Sequence, residues 1–141
     1  MSDSKRHSIV VVEDHKLIRE LWMKIYSAKE GLEVVTGCAD GPAAIDAIAA
    51  IQPDLVSLDI NLGEMSGFDL VPRIRGCSPH TKIIVVSMHV QQNYLREMLR
   101  LGVEGYVTKS SSYTEILAAV DEVLAGRTYV CSEMRPYLDN L

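Results

Sequence analysis

The sequence predicts an α/β sandwich built on one parallel sheet of five strands in the order 2-1-3-4-5. Two observations carry this. Five short apolar runs recur along the chain: Ile9–Val12, Leu32–Cys38, Leu55–Leu58, Ile83–Val86 and Gly105–Val107. Between them lie stretches of helical period, giving a β-α unit five times over, the signature of a parallel sheet with helices on its faces.

The first run, "SIVVVEDHKLIRE", places apolar β-formers consecutively and without alternation, as expected of a strand covered on both faces. It then ends abruptly on Glu13 and Asp14. The first helical stripe follows as Ile18, Leu21, Trp22 and Ile25. A second is Ile45, Ile48 and Ile51, a third Leu95, Met98, Leu99 and Gly102, and a fourth Ile116, Val120, Val123 and Leu124. Phe68–Arg75 is the weakest helix, because Pro72 removes a backbone donor and predicts an irregular start or a kink. Gly31, Gly76, Gly102 and Gly126 fall just past helical stripes, where left-handed C-caps are expected. Right-handed crossovers leave few topologies for such a chain, and five strands suit the flavodoxin-like order.

At 141 residues, with 48% hydrophobic and 23% charged residues, the chain builds one domain with an ordinary, mainly aliphatic core. Its net charge of −5 argues against a nucleic-acid surface spread over the domain. No apolar stretch is long enough to span a bilayer, and "MSDSKRHS" lacks the apolar region of a secretory signal. Cys38, Cys77 and Cys131 show no metal-type spacing and read as reduced structural thiols of a cytoplasmic protein.

In open parallel sheets, ligands bind at the carboxyl ends of the strands, beside the switch point between strands 1 and 3. Those ends carry Glu13 and Asp14, Asp59, Ser87 and Lys109. Each has a duller reading alone: an exposed acidic turn, a hydroxyl satisfying backbone, a solvated loop lysine. Together, three acids converging on one edge repel unless a hard divalent cation joins them, and Mg²⁺ prefers such oxygen donors. A compact lysine cation suits a carboxylate or phosphoryl oxygen.

These residues resemble the receiver domain of two-component response regulators. "VVVEDH", "PDLVSLDI", "MSG", "IIVVSMH" and "GVEGYVTKS" occur in that family's order over residues 7–126. "SMH" and "GYVTK" are most similar to the NarL/FixJ type. The resemblance implies that Asp59 accepts a phosphoryl group from a sensor histidine kinase or phosphotransfer protein. It implies that Asp14, Asp59 and the backbone carbonyl of Asn61 hold Mg²⁺ directly, with Glu13 acting through water and Mn²⁺ able to substitute. Lys109 and Ser87 would then contact phosphoryl oxygens. Ser87 and Tyr106 would form a switch biasing the α4-β5-α5 face, made by the fourth helix, fifth strand and fifth helix. Asn61 and His89 would tune the lifetime of the phosphate, while His15 reads as solvated at the start of the first helix. By the same resemblance the domain is not an enzyme in the usual sense, since it catalyses only its own phosphorylation and dephosphorylation.

Two positions depart from the family's pattern. Gly63 stands where proline is common, and Lys109-Ser110 replaces a Lys-Pro pair that often has a cis peptide. A cis bond without proline costs about 3–4 kcal/mol.

For partners, the first helix offers His15, Lys16 and Arg19 near its start, with Met23 and Tyr26 on other faces, to a kinase. Arg96, Glu97 and Arg100 suit pairing across a homodimer, or Tyr94 and Met98 a hydrophobic patch. Residues 127–141 are too short for a helix-turn-helix and read as an extension or the start of a linker to an effector domain. Pro136, Tyr137 and Leu138 there start a short helix, pack back or fray. DNA contact would come only through such an effector. The alternative is a stand-alone receiver acting by protein–protein contact or as a phosphorelay intermediate. A flavodoxin-like binder of a phosphorylated ligand shares the topology, but three acids without a glycine-rich cradle suit it poorly. A hydrolase using the same metal site lacks a separate general acid.

Overall fold

The computed structural model describes residues 6–63, 65–88 and 92–140. The expected strands appear as β1 (His7–Val12), β2 (Leu32–Cys38), β3 (Leu55–Asp59), β4 (Lys82–Ser87) and β5 (Gly105–Thr108). Helices α1 (Lys16–Ser27), α2 (Gly41–Ile51), α3 (Gly67–Cys77), α4 (Gln92–Arg100) and α5 (Tyr113–Leu124) follow them in turn. All strand pairs of this sheet are parallel. β1, β3 and β4 are buried along almost their whole length, which is why their sequences run apolar without alternation.

The sheet has six strands rather than five. Tyr129–Val130, β6, adds in parallel to the edge of β5, giving the order β2-β1-β3-β4-β5-β6. Two residues leave no periodicity to read, so only the docking of the tail reveals this strand. Backbone bonds from Tyr129 N to Glu104 O and from Cys131 N to Tyr106 O hold it there. A short 3₁₀ helix, Arg135–Asn140, follows, and Gln92 Nε2 donates to Tyr137 O, fastening it to α4. The tail packs back rather than fraying.

Several local expectations are corrected. Pro72 lies inside α3 without ending it, and the start of that helix is regular because Ser66 and Asp69 cap each other reciprocally. Gly76 belongs to α3, whose cap is Ser78, while α2 ends on a left-handed Gln52. In α1 the buried positions are Trp22 and Tyr26, and Leu21 is 53% exposed. Tyr26 and Trp22 lie one turn apart on the face toward the sheet, leaving Leu21 outside it. The Tyr26 hydroxyl meets Ser57 Oγ at 2.9 Å, so Tyr26 is no part of a docking face. Met98 is likewise fully buried, while Tyr94 packs edge-on to Phe68. Arg100 pairs with Glu97 within α4 at 3.6 Å.

Between β3 and α3 the chain forms a small antiparallel hairpin, Asn61–Leu62 with Met65–Ser66, turning at Gly63 in the left-handed region. Gly67 closes it: its N–H donates to Ile60 O at 2.6 Å, and a Cβ there would lie 2.9 Å from Ile60 Cα. Only glycine permits that approach.

At the opposite end of the sheet, Glu104 gathers three strands. Its Oε1 accepts from Ile83 N at 2.8 Å and from Arg75 Nη2 at 2.7 Å, and its backbone pairs with Ile83 and Tyr129.

Candidate functional site

Strand register assembles the site. Val12 lies opposite Leu58, Asp59 opposite Val86, and Ser87 opposite Thr108. The residues at or just past these ends, Glu13, Asp59, Ser87 and Lys109, therefore meet along one edge. Glu13, Asp59 and Ser87 are buried, while Asp14 is exposed. Lys109 follows β5 and its N–H donates to Ser87 O, which turns the loop inward. Its Nζ stands 2.8 Å from Glu13 Oε1 and 3.4 Å from Asp59 Oδ2. The shorter contact goes to Glu13, a pairing the sequence alone does not disclose. Glu13 Oε2 also accepts from the backbone of His15, and Arg19 Nη1 donates to Glu13 O.

Carboxylate oxygens of Glu13, Asp14 and Asp59 lie within 4.8 Å of one another. Burial and the neighbouring Glu13 charge push the Asp59 carboxyl up to about 6, with Lys109 and the Asn61 N–H opposing them. For Lys109, burial works to lower its pKa, but the Glu13 and Asp59 carboxylates outweigh it and the net shift is upward.

Tyr106 is fully buried, and its hydroxyl is hydrogen-bonded to Ser87. Burial, more than this bond, sets its pKa, which is raised. It is not a tyrosine exposed on its strand. Asn61 is exposed in the hairpin, and its N–H donates to Asp59 Oδ1 at 3.3 Å. His89 lies outside the described residues. The Lys109–Ser110 peptide is trans.

Residues 9–121 match the response regulator receiver domain family. The chain belongs to that family. It is 34% identical over 134 residues to the oxygen regulatory protein NreC of Staphylococcus epidermidis, covering 94% of this chain and 61% of that protein. The chain thus spans about three fifths of the length of this relative. It is 31% identical to the signal receiver domain of the response regulator NarL from Mycobacterium tuberculosis, with a TM-score of 0.82 covering 87% and 99% of the two chains. A LuxR-family two-component response regulator from Aurantimonas superposes with a TM-score of 0.91 at 27% identity, covering 96% and 97%.

In this receiver the donor set fits a hard divalent cation. Three carboxylates face one lysine, leaving an excess of negative charge among oxygen donors, the environment that Mg²⁺ or Mn²⁺ satisfies. Among the described residues no helix is long and apolar enough to cross a membrane. Sequence reasoning missed one group beside the receiver's lysine loop. Glu133, in the tail, accepts from Thr108 Oγ1 at 2.6 Å and Ser110 Oγ at 2.9 Å. No spacing rule connects residues so far apart, and only the docked tail brings them together.

Proposed function

We propose that the chain is the phosphoacceptor of a two-component signalling system, with Asp59 as the residue modified. The observation that carries this reading is a buried carboxylate at a strand end, raised to about 6, with two further acids and a lysine against it. The receiver unit spans residues 7–126, and the extension 127–141 adds the β6 strand to the edge of its sheet.

An Asp59 oxygen attacks phosphorus of a phosphohistidine, the new O–P bond forms as the P–N bond breaks, and the electron pair leaves with the imidazole. Lys109, already between Glu13 and Asp59, turns its charge to a phosphoryl oxygen. Asp14, Asp59 and the Asn61 carbonyl would hold Mg²⁺, or Mn²⁺ in its place, directly and Glu13 through water, and the cation would neutralise charge on the transferring group. Ser87 donates to a further phosphoryl oxygen and Tyr106 follows it, biasing the face of α4, β5 and α5. Water later cleaves the acyl phosphate, and Asn61 and His89 tune how fast it does so. The domain turns over no external substrate.

The phosphodonor is a cytoplasmic sensor histidine kinase or phosphotransfer protein. The output is regulation of transcription through an effector domain, with a homodimer formed on the α4-β5-α5 face. Supporting this is the chain's likeness to NreC, of which it spans 61%.

Intact-protein mass spectrometry with a small acyl phosphate tests the reading. A single Mg²⁺-dependent, hydroxylamine-labile phosphoryl adduct is expected, absent in Asp59→Asn and retained in Tyr106→Ala. An adduct that survives Asp59→Asn refutes the assignment.

A further inference from the structure

Thr108 and Ser110 flank Lys109 in the chain, and one carboxylate oxygen holds both. Glu133 Oε1 accepts from Thr108 Oγ1 at 2.6 Å and from Ser110 Oγ at 2.9 Å. Thr108 is buried, so its hydroxyl has few other places to turn. Its remaining neighbours are Ser110 and Ser111 of the same loop, at 3.1 and 3.2 Å. Proline at position 110 has no hydroxyl to offer, so the serine here is what allows the second bond.

The carboxylate itself is placed by a separate set of contacts. Glu115 of α5 accepts from Tyr129 Oη at 2.8 Å and from Ser132 N at 2.7 Å. Cys131 N donates to Tyr106 O, and Met134 N closes a turn onto Cys131 O. Residues 129–134 therefore form a strap, knit to β5 and α5, that delivers Glu133 to the lysine loop.

We propose that Glu133 is a positioning residue for Lys109, so that the tail is a working part of the phosphorylation site. This rests on Asp59 being the phosphoacceptor. Hydroxyl bonds to a carboxylate are among the stronger hydrogen bonds, and two of them bracket Lys109, whose ammonium reaches Glu13 and Asp59. Phosphoryl transfer depends chiefly on where the charges stand, so loosening the loop slows the transfer itself more than it weakens donor binding. The Gln side chain keeps an acceptor oxygen at the same place, whereas Ala removes it.

The test compares wild type, Glu133→Ala, Glu133→Gln and Ser110→Ala as full chains with Mg²⁺ and a small acyl phosphate. Phosphoprotein is followed by intact mass across donor concentrations, and folding by thermal unfolding. Glu133→Ala should lower the maximal rate about fivefold with the half-saturating donor concentration unchanged. Glu133→Gln should recover most of that loss. A Glu133→Ala rate within twofold of wild type, an effect confined to the half-saturating concentration, or a Gln variant as slow as Ala overturns the proposal. Should Glu133→Ala fail to fold, Ser110→Ala decides: about threefold slower is expected, and an unchanged rate refutes it. A wild type that forms no adduct and binds no beryllofluoride removes the phosphoacceptor reading and this role together. A wild type that forms the adduct beside indifferent variants removes this role alone.

Discussion

Replacing Asp59 by Asn should stabilise the metal-free protein while abolishing its chemistry. The ordinary carboxyl value of 3.8 rises to about 6 in the folded chain, chiefly because burial and Glu13 disfavour the charge. At about 1.36 kcal/mol per pKa unit this displacement corresponds to ~3 kcal/mol. The sign follows from linkage: the folded state holds the proton more tightly than the unfolded one. The group's favourable contribution is thus complete below 3.8 and is lost as pH rises through about 6. Asn carries no charge at any pH. Lys109 keeps Glu13 as a partner at 2.8 Å, so the substitution leaves no buried cation alone. Allowing for imperfect amide geometry, Asp59→Asn should gain about 1–3 kcal/mol at pH 7.5 and roughly half as much at pH 5. Urea unfolding in EDTA at the two pH values measures both quantities. An Asn variant no more stable at pH 7.5, or an advantage independent of pH, would refute the account of a strained buried charge. Added Mg²⁺ should narrow the gap by stabilising wild type alone.

Other perturbations have equally definite expectations. Tyr26→Phe removes the bond to Ser57 in the core and should cost about 1 kcal/mol in urea unfolding, with phosphorylation unchanged. Gly67→Ala drives a methyl against Ile60 and Asp59 backbone, at 2.9 and 3.2 Å. It should cost about 1–3 kcal/mol and slow phosphorylation, because the hairpin beside Asp59 must move. Glu104→Ala releases the Ile83 amide and the Arg75 guanidinium together and should lower stability by about 2 kcal/mol, read from the unfolding midpoint.

Much of this is legible in the sequence, for identifiable physical reasons. A strand buried on both faces runs mostly apolar, so β1, β3 and β4 are readable from the sequence, and the carboxylates at the ends of β1 and β3 point to the candidate site. Asp59, Glu13, Asp14 and Lys109 meet because parallel strands align their carboxyl ends. What stayed hidden depends on small angular or long-range facts. One residue of helical rotation decides whether Leu21 or Trp22 faces the sheet. The cap of α3 went to Ser78 rather than Gly76, since a helix end is settled by the chain that follows it. β6 is too short for a pattern, and Glu133 reaches Thr108 only because β6 docks. The Lys109–Glu13 contact, shorter than that to Asp59, reflects side-chain reach within the assembled edge.

Glu104 fastens β4, β5 and β6 at the end remote from the acids, and this makes the base of the sheet a fulcrum. A six-residue strand such as β4 is ~20 Å long at about 3.3 Å per residue. Tilting it by only ~3° about a fixed base swings its tip by ~1 Å, which is enough to make or break a hydrogen bond. Ser87 stands at that tip. A shift of that size at Ser87 would pass through its hydrogen bond to Tyr106, whose backbone carbonyl accepts from Cys131 N of the strap.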